Sequence, residues 1–235
     1  MKRFPLLSGL LILSLPVAAQ AAERSYSVTD FERIRVTGPF KVVVLADRVT
    51  AVRGSGTADA LDRVRLDVQG RTLFIRLDRR NFGGTEPNGP PALITIRAPA
   101  LREASLAGSG SLSLSGMKGL RVALIVEGSG ALTANKVQAD RLDMGVIGSG
   151  SITTSGKALS ATVTGRGAAS VNAADLIVDD LTLNWESAGD GSFSAKRTAK
   201  VTSIGTGNVT VSGKPACTVT NGGNGQVSCG STPAQ

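Results

Sequence analysis

A Gly-x-Gly triplet returns seven times along the chain: Gly108-Ser109-Gly110, Gly128-Ser129-Gly130, Gly148-Ser149-Gly150, Gly165-Arg166-Gly167, Gly189-Asp190-Gly191, Gly205-Thr206-Gly207 and Gly223-Asn224-Gly225. The first three copies are 20 residues apart, and the later steps between second glycines are 17, 24, 16 and 18. A period in this range marks one supersecondary unit per copy, stacked on its neighbours. A phosphate-cradling loop would need a single copy between a strand and a helix, whereas these copies punctuate strand-like text.

Aligned on the glycines, the flanking residues form apolar columns. Two places after each second glycine stand Leu112, Leu132, Ile152, Ala169, Phe193, Val209 and Val227. Four places after it stand Leu114, Ala134, Thr154, Val171, Ala195, Val211 and Cys229, and four places before the first glycine Ala104, Leu124, Met144, Ala161, Trp185, Val201 and Val219. The offsets are even, so each set shares one face of a strand. Two strands per repeat, joined by a tight arc, bury that face only by stacking on equivalent strands. The expected fold is an all-β helix, a β-solenoid with Gly-Ser-Gly turns between stacked strands. Glycine suits an arc where φ is positive or a Cβ would clash. The variable middle residue of each arc is expected to face solvent.

Composition agrees with a narrow core. The chain has 29 glycines, one Trp and one Tyr, so aliphatic rows must fill the interior. Ahead of the repeats, Arg33 to Val36 alternates, Gly38-Pro39 turns the chain, and Phe40 to Leu45 is a dense β-branched run. Val64, Leu66 and Val68 pair as a hairpin with Leu73, Ile75 and Leu77 across Gln69-Gly70-Arg71, and Thr57 to Asp62 suits one helical turn. Asn81 to Pro91 is a loop by composition, taken as a surface loop within one solenoid. Residues 22–230 are expected to form one domain, with N-terminal strands and hairpin over 22–100, repeats over 101–230 and a frayed tail at 231–235.

Lys2 and Arg3, the apolar run Leu6 to Ala19 and the small residues Ala19-Gln20-Ala21 form a signal-peptide pattern over residues 1–21. The run is too short and too proline-broken for a membrane anchor, and no later stretch would span a bilayer. The mature chain is expected in the periplasm, secreted or at the cell surface. In that setting Cys217 and Cys229, the only cysteines, form a disulfide that staples the last coil, with free thiols as the alternative.

The stretches "LREASLAGSGSLSLSG", "LRVALIVEGSGALTA" and "FKVVVLADRVTAVRGSGTADALDRVRLDVQGRTLFIRL" resemble the head GIN domain family of putative auto-transporter adhesins over most of the mature chain. The resemblance implies a right-handed β-helix of the pectin-lyase-like type, Gly-Ser-Gly turns between its sheets, and a cell-adhesion role without a catalytic set.

With no histidine, histidine-based triads and metal sites are excluded, and Asp190 alone does not make a calcium repeat. No metal or cofactor is expected. Glycan cleavage on the same scaffold needs cooperating carboxylates, for which Asp175, Asp179 and Asp180 are the candidates. Consecutive strand residues point to opposite faces, so Asp179 and Asp180 cooperate only at a turn or bulge. The net charge of +8 falls to +6 without the leader and is scattered, not interleaved with aromatics, which argues against nucleic acid. Arg63, Arg65, Arg76, Arg79 and Arg80 are the densest basic stretch; Arg63 and Arg65 either meet an anionic glycan or protect a strand edge. The arc tips Ser109, Ser129, Ser149, Arg166, Asp190, Thr206 and Asn224 form a candidate binding edge. The expected function is an exported non-enzymatic binding, adhesion or structural module of the cell envelope, whose partner is an anionic glycan, an envelope surface or a protein. A polysaccharide lyase or hydrolase and a protein-binding envelope assembly or stress factor are the alternatives.

Overall fold

Each coil of this chain leaves backbone groups that only a neighbouring coil can pair, and the architecture follows from that. The computed structural model describes residues 22–78, 90–99 and 101–231. Residues 1–21, with the expected signal peptide, Arg79 and Arg80, most of the proline-rich loop and residues 232–235 lie outside the described residues.

The N-terminal part contains β1 (Ala22–Tyr26), β2 (Arg33–Thr37), β3 (Lys41–Ala46), β4 (Ala51–Gly56), α1 (Ala58–Asp62), β5 (Val64–Gln69), β6 (Thr72–Leu77) and β7 (Leu93–Ala98). The repeats supply β8 (Glu103–Gly108), β9 (Ser111–Ser115), β10 (Lys118–Gly128), β11 (Ala131–Gly148), β12 (Ser151–Gly167), β13 (Ser170–Ser187), β14 (Gly191–Ser203), β15 (Val209–Gly213), β16 (Ala216–Asn221) and β17 (Val227–Ser231). They wind into the β-solenoid that the repeat predicts, with parallel pairing from coil to coil throughout β8 to β17.

The start of the solenoid is threaded in a way the repeat does not announce. Strand β2 lies between β6 and β8, and β3 between β7 and β9, all in parallel. The first arc, Gly38-Pro39-Phe40, is thus inserted between a coil made later in the chain and the first Gly-Ser-Gly coil. Antiparallel strands close this end: β5 on β6 as the expected hairpin, and β4 on β7 with β1 outside it. Thr57 caps the single turn of α1, accepting from the Ala60 N–H, and α1 buries Leu61 beneath the closure.

The coil-to-coil register corrects the alignment of the fourth and fifth arcs. Gly148 pairs with Gly167, and Gly167 with Ser187. The arcs in phase are therefore Gly167-Ala168-Ala169 and Ser187-Ala188-Gly189, each two residues away from the triplet that resembles a copy. Arg166 and Asp190 are not arc tips. The steps become 19, 20, 18 and 18 after the first two of 20. The inward columns become Leu112, Leu132, Ile152, Val171, Gly191, Val209 and Val227, and Ala104, Leu124, Met144, Val163, Leu183, Val201 and Val219. A slip of two keeps a residue on the same face of its strand, so the misaligned columns were equally apolar.

The glycines that imitate the motif have another task. A Cβ on Gly165 would lie 2.5 Å from the Trp185 ring, and one on Gly191 would lie 2.6 Å from Phe193. They clear space for the bulkiest aromatics of the core, which meet edge to face at 5.9 Å, with Trp185 Nε1–H donating to the Gly189 carbonyl. In the true arcs the clash is with backbone: a Cβ on Gly130 would sit 2.7 Å from the Gly110 carbonyl oxygen one coil below.

Cys217 and Cys229 form the expected disulfide. They extend the columns of Ala199 and Val211, so the bond ties β16 to β17.

Two stability measurements check this packing. Gly165→Ala pushes a methyl into the Trp185 ring and is expected to lower urea-unfolding stability by about 1–3 kcal/mol, whereas Ser129→Ala at an arc tip leaves it unchanged. Replacing Cys217 and Cys229 by serine removes a short-loop cross-link and is expected to cost about 2–3 kcal/mol, a loss that reductant reproduces in the unmodified chain.

Candidate functional site

The outward residues sort the repeats into surfaces of different chemistry. In a full coil the chain passes along one strand segment, turns at a first corner, crosses a short second segment, turns again and returns along a third to the arc. In β11 the first corner is Asn135-Lys136, where Lys136 has φ 57° and the ladder shifts register, and the short segment is 137–139. At the second corner the ladder skips one residue per coil: Leu120, Asp140, Leu159 and Asp179 lie between paired neighbours. The sequence alignment showed two segments per repeat; the short third one escaped it because it carries too few residues to alternate visibly.

The returning segments carry charge that is internally balanced. Arg121 and Arg141 both donate to Asp143, at 2.8 and 3.1 Å, Arg166 meets Glu186 at 3.2 Å, and Arg35 meets Glu127 at 3.6 Å. Asp180 accepts from Arg197 and from the Thr198 hydroxyl. Burial works against the ionised form of Asp143, but the hydrogen bonds and charges of Arg121 and Arg141 outweigh it and hold the carboxyl below its ordinary range.

The short segments form a trough of about 810 Å³ running along the solenoid axis. Its floor is the in-register column Gly119, Ala139 and Ala158. One wall is Lys118, Gln138, Lys157 and Ile177, stacked in register; the other is the corner column Leu120, Asp140, Leu159 and Asp179, with Lys196 at the corner of the next coil. Leu120 is 80% exposed, Leu159 56% and Ile177 38%, an unusual concentration of aliphatic surface in one concave strip. Arginine makes all the ion pairs between side chains given above; Lys118, Lys157 and Lys196 make none among the described residues, nor do Asp140 and Asp179. Across four coils the trough spans roughly 14 Å at the usual strand spacing.

The sequence-derived candidates scatter around this trough. Asp179 lines it, Asp180 is engaged on the ion-paired face, and Asp175 stands exposed at the preceding corner. A corner does fall at Asp179, yet the neighbouring carboxylate is committed to Arg197 and Thr198. Ser109, Ser129, Ser149, Thr206 and Asn224 form an exposed row of arc tips, completed by Ala168 and Ala188 in place of Arg166 and Asp190. Asp190 instead accepts the Asn208 N–H, and the Asn208 side chain accepts the Gln226 N–H, so this pair links successive coils. Arg63 caps α1 and Arg65 lies on the edge strand β5 opposite Arg76, in the N-terminal closure. The lysine wall was legible in principle, since Lys118, Gln138, Lys157 and Ile177 recur at the coil period; alignment on glycines passed over it.

The family model described as "Putative auto-transporter adhesin, head GIN domain" matches residues 30–215. The chain belongs to this family. Among curated proteins none matches it significantly. Its fold is similar to that of a putative adhesin from Bacteroides fragilis, with TM-score 0.81 and 19% identity over 90% of this chain and 97% of that one. A putative adhesin from Parabacteroides distasonis is similar at TM-score 0.67 and 20% identity, over 89% and 97% of the two chains. A structure from the same organism, described as a putative lipid binding protein, is similar at TM-score 0.67 and 20% identity, over 88% and 96%. As a member of this adhesin family the chain has a binding or adhesion role, and no helix among its described residues is long and apolar enough to cross a membrane.

The Asp143 cluster gives a pH test. A depressed carboxyl contributes stability above its unfolded pKa and loses it as pH falls through the folded value. Because both arginines are exposed, Asp143→Asn is expected to cost no more than about 1 kcal/mol at neutral pH. The difference between variant and parent should vanish in acid, below the ordinary aspartate range, as followed by thermal unfolding across pH.

Proposed function

We propose that the chain is an exported, non-enzymatic binding module of the cell envelope, and that the trough along its short segments is where it meets its partner. The observation that carries this reading is the coincidence of unpaired lysines and exposed leucines in one concave strip. On the neighbouring face arginines spend their charge on carboxylates, so a charged group approaching the repeats finds uncommitted cations in the trough.

Export is supported by the leader pattern of residues 1–21 and by the disulfide, a bond favoured in oxidising compartments. The fold neighbours described as a putative adhesin and a putative lipid binding protein both carry names of binding rather than of catalysis. The non-enzymatic reading is supported by the commitment of Asp180 to Arg197 and Thr198, which leaves Asp140, two coils and about 10 Å away at the strand spacing, as the free carboxylate on the wall of Asp179. The arc-tip row of Ser109, Ser129, Ser149, Thr206 and Asn224, separated from the trough by the long segments of each coil, is read as a polar edge outside it. Arg63 and Arg65 are read as edge protection of β5.

The test is retention of the labelled, purified chain on isolated bacterial envelope fragments at low and moderate salt. The triple variant Lys118→Glu, Lys157→Glu and Lys196→Glu is expected to lower retention about tenfold or more, and Lys200→Glu on the ion-paired face to leave it unchanged. Equal retention of parent and triple variant would remove the trough from the reading. Release of oligosaccharides from acidic polysaccharide, abolished by Asp179→Asn, would replace the binding module with an enzyme.

A further inference from the structure

The trough also restricts what can lie in it. We infer that its ligand is a phospholipid, with an acyl chain along the Gly119, Ala139 and Ala158 floor and the phosphate held by the lysine wall. This rests on the binding-module reading and names the chemistry of its partner.

Three classes of ligand are separated by what the trough offers. An extended peptide draws affinity from main-chain hydrogen bonds at a free strand edge. No such edge exists here: Gln138 pairs with Lys118 on one side and Lys157 on the other, and Ala158 with Ala139 and Val178. A glycan needs a ring to stack on or a set of converging polar groups. Polar side chains do line the walls, but exposed Leu120, Leu159 and Ile177 interrupt their rows, none of the trough residues is aromatic, and the core aromatics Trp185 and Phe193 are buried. An acyl chain asks only for apolar area and a smooth floor. Leu120, Leu159 and Ile177 supply the area, and the floor is smooth because Gly119, Ala139 and Ala158 turn toward the core and raise no side chain between the two walls.

The head group follows from the charges. Lys118 and Lys157 stand two coils apart on one wall, about 10 Å at the strand spacing, with Gln138 between them. Their ammonium groups donate without an acceptor among the described residues, and a phosphate accepts from more than one donor at once. Asp140 and Asp179 stand on the opposite wall, so an anionic head is directed to the lysine side.

The measurement uses the full purified chain and two probes. Dihexanoyl phosphatidylglycerol, titrated below its micelle concentration, is expected to shift the backbone amide resonances of Gly119, Ala139 and Ala158 and to leave those of Ser129 and Ser149 in place. Flotation with phosphatidylcholine vesicles containing phosphatidylglycerol is expected to fall about tenfold or more in Leu159→Asp and in Lys157→Glu, with Lys200→Glu equal to the parent. Leu159 is largely exposed, and matching melting curves establish that its variant is folded. Amide shifts confined to another surface, or flotation indifferent to both trough variants, would overturn the inference. Delipidated envelope fragments separate this failure from that of the broader reading. Retention there that still depends on the trough lysines overturns the phospholipid and keeps the binding module; failure of the chain to hold on intact and delipidated fragments alike overturns both.

Discussion

Coil-to-coil backbone pairing is the constraint on which the rest of this molecule depends. A parallel strand spends its N–H and C=O groups on two neighbours, one coil above and one below, at a fixed spacing of about 4.8 Å. Every side chain is therefore held directly over its equivalent in the previous coil. At the arcs this leaves no room for a Cβ between successive carbonyls, as at Gly130 over Gly110. Inside, the same stacking lets small aliphatic residues fill the core as columns, so the chain folds with few aromatics.

The pairing also shapes what the surface can recognise. Between the ends of the repeats the main chain is used in pairing from coil to coil, and recognition falls to outward side chains. Those are sorted by segment: arginine and carboxylate on the returning segments, lysine and leucine around the short ones. The ladders of Arg121, Arg141 and Asp143 neutralise one face at modest energetic gain, since exposed pairs contribute little. The trough is different because lysines without ion pairs and aliphatic side chains without cover come together there in one strip. Outward positions carry little of the fold, which is consistent with neighbours sharing the architecture at 19–20% identity.

The N-terminal closure solves a separate problem. A solenoid ends in a coil whose core columns and strand edges lack a neighbour. Here antiparallel β5, β4 and β1, with Leu61 of α1 beneath, cover one end, while the Cys217–Cys229 bond holds the last described coil. The insertion of β2 and β3 between coils formed later in the chain requires pairings of long sequence separation, β2 with β8 above all. Such contacts slow folding relative to the sequential stacking of the repeats.

What the sequence by itself determined was the solenoid, its inward faces, the hairpin across Gln69-Gly70-Arg71, the turn of helix after Thr57 and the pairing of its two cysteines. Each is a local or periodic signal that survives without knowledge of neighbours. Only the tertiary structure decided the register of the fourth and fifth arcs, because a shift of two residues preserves the face and leaves every apolar column plausible. Trp185 and Phe193 need glycines at 165 and 191 for space, and those glycines imitate the arc motif. The structure alone also decided the threading of β2 and β3 and the existence of the trough. A corner that skips one residue per coil brings Leu120, Asp140, Leu159 and Asp179 into line opposite the lysines, and a skipped residue is invisible to any alignment that counts from the glycines.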